Sequence, residues 1–423
     1  MRRAETEPTL VARRTSLRPS SLVVCASALA WALGCGGGDD ATRVVLSATP
    51  GDGNAAPVGK TFVAASVVFS PEGEQTYVNV LRDLAPQSLD YERAIELAGW
   101  ADIWVHDGRV YVSSREASTI TKYAVDAAGG LVSEGVASFL AYGEVDVAFW
   151  SNTFVAPDKA YMINGVSQYV VWNPQTMELT GTFELPAMPE REGFLVRAGT
   201  LDRSNVIRDG LLYQPMYWSD EDYAVFAPDS RIVVIDIATD RVVRVIEAPC
   251  AGLDIGTRDA AGNLYFSTWT SGIYQPLVLG DAGNCVARVP AGSDVAEVAF
   301  TFAELAEGRE GAAVRHFQGE SVLFSVFHEE QSGRLRDADD PWTVIGERNW
   351  RTWLYDPASE RSAPVESLDW NSGATYVFHL GGVAHVLVPS TDYAATTVVA
   401  LDAETRATEL FTMRGWGIRL FEL

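Results

Sequence analysis

Gly108-Arg109-Val110-Tyr111, Gly210-Leu211-Leu212-Tyr213 and Gly262-Asn263-Leu264-Tyr265 are three copies of one shape: a glycine turn running into a strand that carries a tyrosine. Asp158-Lys159-Ala160-Tyr161, Glu320-Ser321-Val322-Leu323 and Gly382-Val383-Ala384-His385 stand at the same place in their surroundings. The steps between these anchors are 50, 52, 52, 58 and 62 residues. After each anchor a further strand is expected: 120–126, 168–172, 231–237, 285–289, 350–356 and 396–402. An outer strand of alternating apolar and polar residues then follows: 131–139, 178–185, 241–247, 296–302, 361–368 and 407–413. Polar turns such as Asn173-Pro174-Gln175-Thr176 and Asp402-Ala403-Glu404-Thr405 separate them. Repeats of roughly 40–50 residues built from four short strands are the mark of a propeller. A pair of β-sandwiches would give no reason for the period. No long segment of helical period competes; residues 304–309 could make one helical turn.

Counting strands gives the closure. Six units are complete. The first, at about residues 62–97, lacks an innermost strand, while Gly417-Ile418-Arg419-Leu420-Phe421-Glu422-Leu423 is left over at the far end. The fold expected is all-β: a seven-bladed β-propeller of four-stranded antiparallel blades, the first completed by the C-terminal strand. That arrangement removes two open sheet edges. It occupies residues 61–423.

The 423 residues are 47% hydrophobic, enough for a large core, and carry a net charge of −24. So acidic a chain lacks the basic footprint of a nucleic-acid binder. Arg2, Arg3, Arg13, Arg14 and Arg18 precede an apolar run at residues 22–33, which is too short to span a bilayer. A basic segment, a short apolar run and small residues define a secretory signal, here residues 1–34. Ala32-Leu33-Gly34-Cys35 resembles a bacterial lipobox in which Cys35 is acylated, with residues 35–60 as a flexible tether; simple cleavage of the signal is the alternative. The location expected is the cell envelope, on an outer-membrane lipid anchor, facing either the periplasm or the surface, and the protein is expected to be a monomer. Cys250 and Cys285 remain, and two cysteines in an oxidising compartment favour a disulfide.

Catalytic signatures such as G-x-S-x-G, H-E-x-x-H or a phosphate-binding loop are absent. His106, His316 and His379 each end an innermost strand, so they should come round one end of the central channel. They are either turn residues or ligands of a metal. Asp102, Asp146 and Asp254 begin innermost strands toward the other end, where they are either ordinary turn residues or a carboxylate ring for Ca²⁺. Long loops follow the second strands of blades four to six, at residues 217–230, 268–284 and 328–349. Loops of this length are often functional. They carry Trp218, Tyr223, Trp269, Tyr274, Arg334, Arg336 and Trp342. These are the candidate ligand contacts: aromatic faces suit a flat ligand and guanidinium suits an anion. The alternative is that the rings pack the loops onto the blades. No cofactor can be named from these residues.

The lipobox, the tether and units such as Val110-Tyr111-Val112-Ser113-Ser114-Arg115-Glu116-Ala117-Ser118-Thr119-Ile120-Thr121-Lys122-Tyr123 resemble bacterial propeller lipoproteins. One set of these is encoded beside catecholate (myxochelin-type) siderophore genes and TonB-dependent receptors. The resemblance implies a binding or accessory role in iron-siderophore uptake, with a ferric siderophore or a TonB-dependent receptor as partner. Two other readings stay open: a protein-interaction scaffold at the cell surface, and a propeller enzyme such as a lactonase, lyase or quinoprotein-like dehydrogenase.

Overall fold

A computed structural model describes residues 60–423, apart from 86, 90, 115–116, 143–151, 200–205, 281–282 and 333–339. The signal, Cys35 and the tether, together with Asp146, Arg334 and Arg336, lie outside the described residues. What is described forms seven antiparallel sheets arranged as the blades of a propeller. Blade 2 shows the plan: Ile103–His106 innermost, then Arg109–Ser114, Thr119–Val125 and Leu131–Ser138 at the rim.

The sequence pattern follows from the packing. Ser230–Asp236, the third strand of blade 4, buries Ile232, Val233, Val234 and Ile235 in succession, because its two faces meet the two neighbouring blades. Such a strand reads as a continuous apolar run. The rim strand Arg241–Ala248 has exposed residues at every second position and alternates instead. The core therefore lies between the blades. One apolar cluster joins Trp104 and Tyr111 of blade 2 to Met162 and Trp172 of blade 3, and another joins Leu323 of blade 6 to Val386 and Val399 of blade 7.

The ring closes with the C-terminal strand. Trp416–Glu422 is innermost in blade 1, followed by Phe62–Ser70, Gly73–Leu81 and Ile95–Ala98. Phe62 stands opposite Glu422 and Val67 opposite Trp416, with a bulge at Ala65/Ser66. The strand starts one residue earlier than the sequence suggests. Gly415 makes the turn into it at φ +74°, and a Cβ there would stand 2.2 Å from the Val67 carbonyl oxygen, so only glycine fits.

Blade 4 departs from the plan. Two short segments, Leu195–Ala198 and Val206–Arg208, share its innermost place, both pairing with Leu211–Ser219. Blade 7 gains a rim extension, where Gln87–Ser88 pairs in parallel with Phe411 and Thr412. The helical turn expected near residue 304 is present as Phe302–Leu305, held by a capping box between Thr301 and Glu304.

Candidate ligand site at the end of the channel

Successive antiparallel strands reverse direction, so the turn from first to second strand and the loop from second to third lie on opposite faces of the ring. The histidines belong to the first face and the long loops to the second.

The loop face is filled. Trp100, Ala101, Ile103, Tyr376 and Trp416 of blades 1, 2 and 7 share one apolar cluster with Ile255, across the axis on blade 5, and with Trp269 and Ile345 from the long loops. Trp416 packs edge-on against Trp100 at 5.5 Å and stacks with Tyr376 at 5.8 Å. Thr270 donates to the Gly373 carbonyl at 3.1 Å, and Gly373 donates to Ile345 at 2.8 Å. These contacts pin the loops of blades 5 and 6 onto blade 7.

The rings proposed as ligand contacts take part in this packing. Trp218 is fully buried: the Arg191 guanidinium lies 3.6 Å above its ring, and its indole N–H donates to Pro189. Asp229 holds that guanidinium at 2.7 and 2.9 Å. Trp269 is buried beside the half-buried Trp342, with ring centres 6.0 Å apart. Tyr274 is buried among Ile273, Ala313, Phe327 and Trp350. Tyr223, half-buried at φ +59°, has Arg197 over its face. The structure brings Trp269 and Trp342 together and leaves the other rings apart, Trp218 and Tyr223 under arginines of blade 4 and Tyr274 against blade 6. Cys250 and Cys285 are joined in a disulfide, which ties the end of the blade-5 loop to the segment leaving blade 4.

Of the carboxylates expected at the loop face, Asp102 and Asp254 are described, and both are engaged by other side chains. Asp102 is fully buried and paired with Arg419, and Asp254 accepts from the Tyr217 hydroxyl at 3.3 Å. Among the described residues no three potential metal ligands come together, neither at these aspartates nor at the histidines. The acids are engaged by side chains of neighbouring strands, and His106 stacks on Phe154 instead of joining the other two.

At the opposite face the channel opens into a cavity of about 530 Å³. That is within the range of small-molecule sites. Innermost strands of six blades line it, contributing Trp104 and His106, Thr153 and Phe154, Val206, Thr257 and Arg258, Arg315 and His316, and Phe378 and His379. No described lining residue is a carboxylate. Arg258 is exposed and donates to the Ile207 carbonyl at 3.3 Å. Arg315 is buried and built into the wall, donating to Val314. Arg315 and His316 both reach the cavity although they are adjacent in the strand. The strand bulges here, with Ala313 at φ +59° and register shifts on either side, and a bulge re-aims side chains.

His316 and His379 stand 5.4 Å apart, ring centre to ring centre. Each Nε2 faces a backbone carbonyl at 3.1 Å, that of Gly319 for His316 and of Phe317 for His379. A carbonyl only accepts, so in the neutral ring Nε2 carries the proton and Nδ1 keeps the lone pair. His379 is open to the cavity, yet protein surrounds it. Burial, and next the neighbouring His316, hold its pKa below the usual histidine value.

Sequence reading placed the three histidines at this end correctly and missed Arg258, Thr257 and Phe154. Nothing local marks them: Ile255-Gly256-Thr257-Arg258 reads as an ordinary short strand.

No protein-family profile matches the chain, and no curated protein matches it in sequence. Solved structures do share its fold. The periplasmic gluconolactonase PpgL of Pseudomonas aeruginosa is 14% identical over 86% of this chain and 99% of its own, with a TM-score of 0.55. A quinonprotein alcohol dehydrogenase-like protein of Bacteroides thetaiotaomicron is 11% identical over 90% and 98%, with a TM-score of 0.46. BamB of Moraxella catarrhalis is 11% identical over 78% and 79%, with a TM-score of 0.42. At 14% identity the likeness to the gluconolactonase is one of fold. The chain is a seven-bladed β-propeller, with its loop face packed shut and a cationic, histidine-lined cavity at the other.

Proposed function

We propose that the protein binds a small organic anion, a carboxylate or a phosphate, in the channel end lined by Arg258, His106, His316 and His379. One observation carries this. In a chain of net charge −24, the described wall of an open cavity offers an exposed guanidinium and three imidazoles but no carboxylate. Such a basin attracts anions that the rest of the surface repels. Trp104, Phe154 and Phe378 add apolar faces for the ligand's carbon frame. The filled loop face leaves this end as the way in. The disulfide fits a compartment outside the cytoplasm, where a signal at residues 1–34 would send the chain.

A ferric catecholate is also an anion and so falls within the class, but none of the similar structures named above points to siderophores. The test is calorimetric titration with 6-phosphogluconate, with neutral glucose as control and a ferric myxochelin-type catecholate as a third arm. Saturable binding of either anion, weakened about tenfold or more in Arg258→Gln, supports the reading, since a charge-assisted contact is worth roughly 1.5–3 kcal/mol. No saturation by either anion up to about 1 mM, where binding is worth about 4 kcal/mol, would end it.

A further inference from the structure

The cavity holds more than a cation. Its two neighbouring imidazoles are fixed in one tautomer by carbonyls of the protein's own backbone, and no described group bonds their Nδ1 atoms. Beside them, the Thr257 hydroxyl accepts the His316 backbone N–H at 3.0 Å. An oxygen that accepts there still has its own proton to donate. The cavity thus gathers a cation for an anionic handle, an imidazole lone pair and a hydroxyl donor.

We propose that the protein hydrolyses lactones that carry an anionic group, with His379 as general base, Thr257 as oxyanion donor and Arg258 as anchor of the anionic group. The proposal rests on the anion-binding reading above. In the step, His379 Nδ1 takes a proton from water as the water oxygen bonds to the lactone carbonyl carbon. The carbonyl oxygen becomes an oxyanion facing the Thr257 hydroxyl. The tetrahedral intermediate collapses, the carbonyl carbon–ring oxygen bond breaks, and the proton on His379 passes to the departing alkoxide. Water and lactone give the open hydroxy acid, and nothing is oxidised or reduced.

The lone pair of His379 and the hydroxyl of Thr257 suit water attacking an acyl carbon, where one group takes a proton while the other faces the growing oxyanion. Burial, and next the neighbouring His316, favour the neutral form of the His379 ring.

The experiment uses the full chain with 6-phosphoglucono-δ-lactone and, for comparison, neutral glucono-δ-lactone. Acid release is followed with a pH indicator and corrected for spontaneous opening. Expected is turnover of the phosphorylated lactone above the blank, with kcat/KM at least about tenfold higher than for the neutral one. His379→Gln should lower kcat about 10²–10⁴-fold while keeping the wild-type circular dichroism spectrum and thermal transition, which report a folded chain. Thr257→Val should lower kcat by about 10-fold or more with KM little changed. The wild-type kcat/KM should fall in acid as His379 protonates. If the phosphorylated lactone opens no faster than in buffer although 6-phosphogluconate binds, hydrolysis is wrong and anion binding stands. If neither occurs, both fail. Full activity in His379→Gln removes His379 as the base.

Discussion

Arg419 Nη2, on the last strand of the chain, donates to Asp102 Oδ2 at 2.9 Å, and Arg419 Nε lies 2.8 Å from Oδ1. The side chains are 1% and 0% exposed, so this is a fully buried ion pair. It links the C-terminal strand of blade 1 to the residue that leads into the first strand of blade 2. Both ends are further engaged: Arg419 Nη1 donates to Ile418, and Asp102 Oδ1 accepts the Ile103 N–H at 2.8 Å. Removing one partner from such a pair strands a charge in the core. Asp102→Ala should therefore cost about 3–5 kcal/mol, whereas Asp102→Ala with Arg419→Met should cost less than the single change. Urea unfolding of the four proteins in the cycle measures this. A double variant no more stable than Asp102→Ala would show that the pair's cost lies elsewhere.

The seam itself should be indispensable. A chain ending at Gly415 loses the whole innermost strand of blade 1 and with it the buried Trp416, Ile418, Leu420 and Phe421. It also exposes the edge of Phe62–Ser70 to pairing with other chains. Aggregation, or loss of the cooperative thermal transition, is the expected outcome by size exclusion and circular dichroism. An unchanged transition temperature would contradict the closure. Gly415→Ala is the milder probe. It forces a Cβ against Val67 at a positive φ and should lower stability by at least about 1 kcal/mol.

Replacing Cys250 and Cys285 by serine opens a crosslink with a sequence separation of 35. The chain-entropy estimate for a loop of that length is about 3–4 kcal/mol. The loss should appear as a lower urea midpoint for the double variant under non-reducing conditions. A midpoint equal to that of wild type would mean that the packing around the buried Cys250 holds the loop unaided.

What was legible in the sequence depended on how local the physics is. The blades were legible because strands squeezed between neighbours are apolar on both faces, as in Ile232-Val233-Val234-Ile235, while rim strands alternate. Closure was legible by counting strands. The site was legible only in part. His106, His316 and His379 announce their end of the channel by preceding turns, but Arg258 and Thr257 join them only once six strands from different blades converge. The packing of the loop tryptophans was not legible, for the converse reason. A loop sequence does not say which rings fold inward, and Trp218 is covered by an arginine 27 positions earlier, itself held by Asp229. Asp102 read as either a turn residue or one of a carboxylate ring, because its partner Arg419 lies 317 positions away.

The imidazoles of the cavity should make anion binding depend on pH, with a sign that can be worked out. Burial and His316 hold the His379 pKa below the ordinary 6.5, so at neutral pH the ring is uncharged. His385 is close enough to add to this effect, and burial lowers its own pKa too. As pH falls through the depressed value, His379 gains a positive charge in a cavity that already holds Arg258 and Arg315. A carboxylate ligand stays ionised there, whereas a phosphate monoester takes up a proton near pH 6 and loses charge. The bound anion favours the charged ring, so affinity rises as pH falls. One added charge near the ligand, screened by water, should tighten binding about threefold to tenfold. Stability runs the other way. The folded protein takes up this proton less readily than the unfolded chain, so the contribution of His379 to stability is complete above 6.5 and is lost as pH falls through its folded value. Titrating gluconate, whose carboxylate keeps its charge, from about pH 7.5 to 5.5 should therefore show tightening. His379→Gln should flatten the slope, and Arg258→Gln should weaken binding at every pH while keeping it. A slope unchanged in His379→Gln would mean that this imidazole does not face the anion.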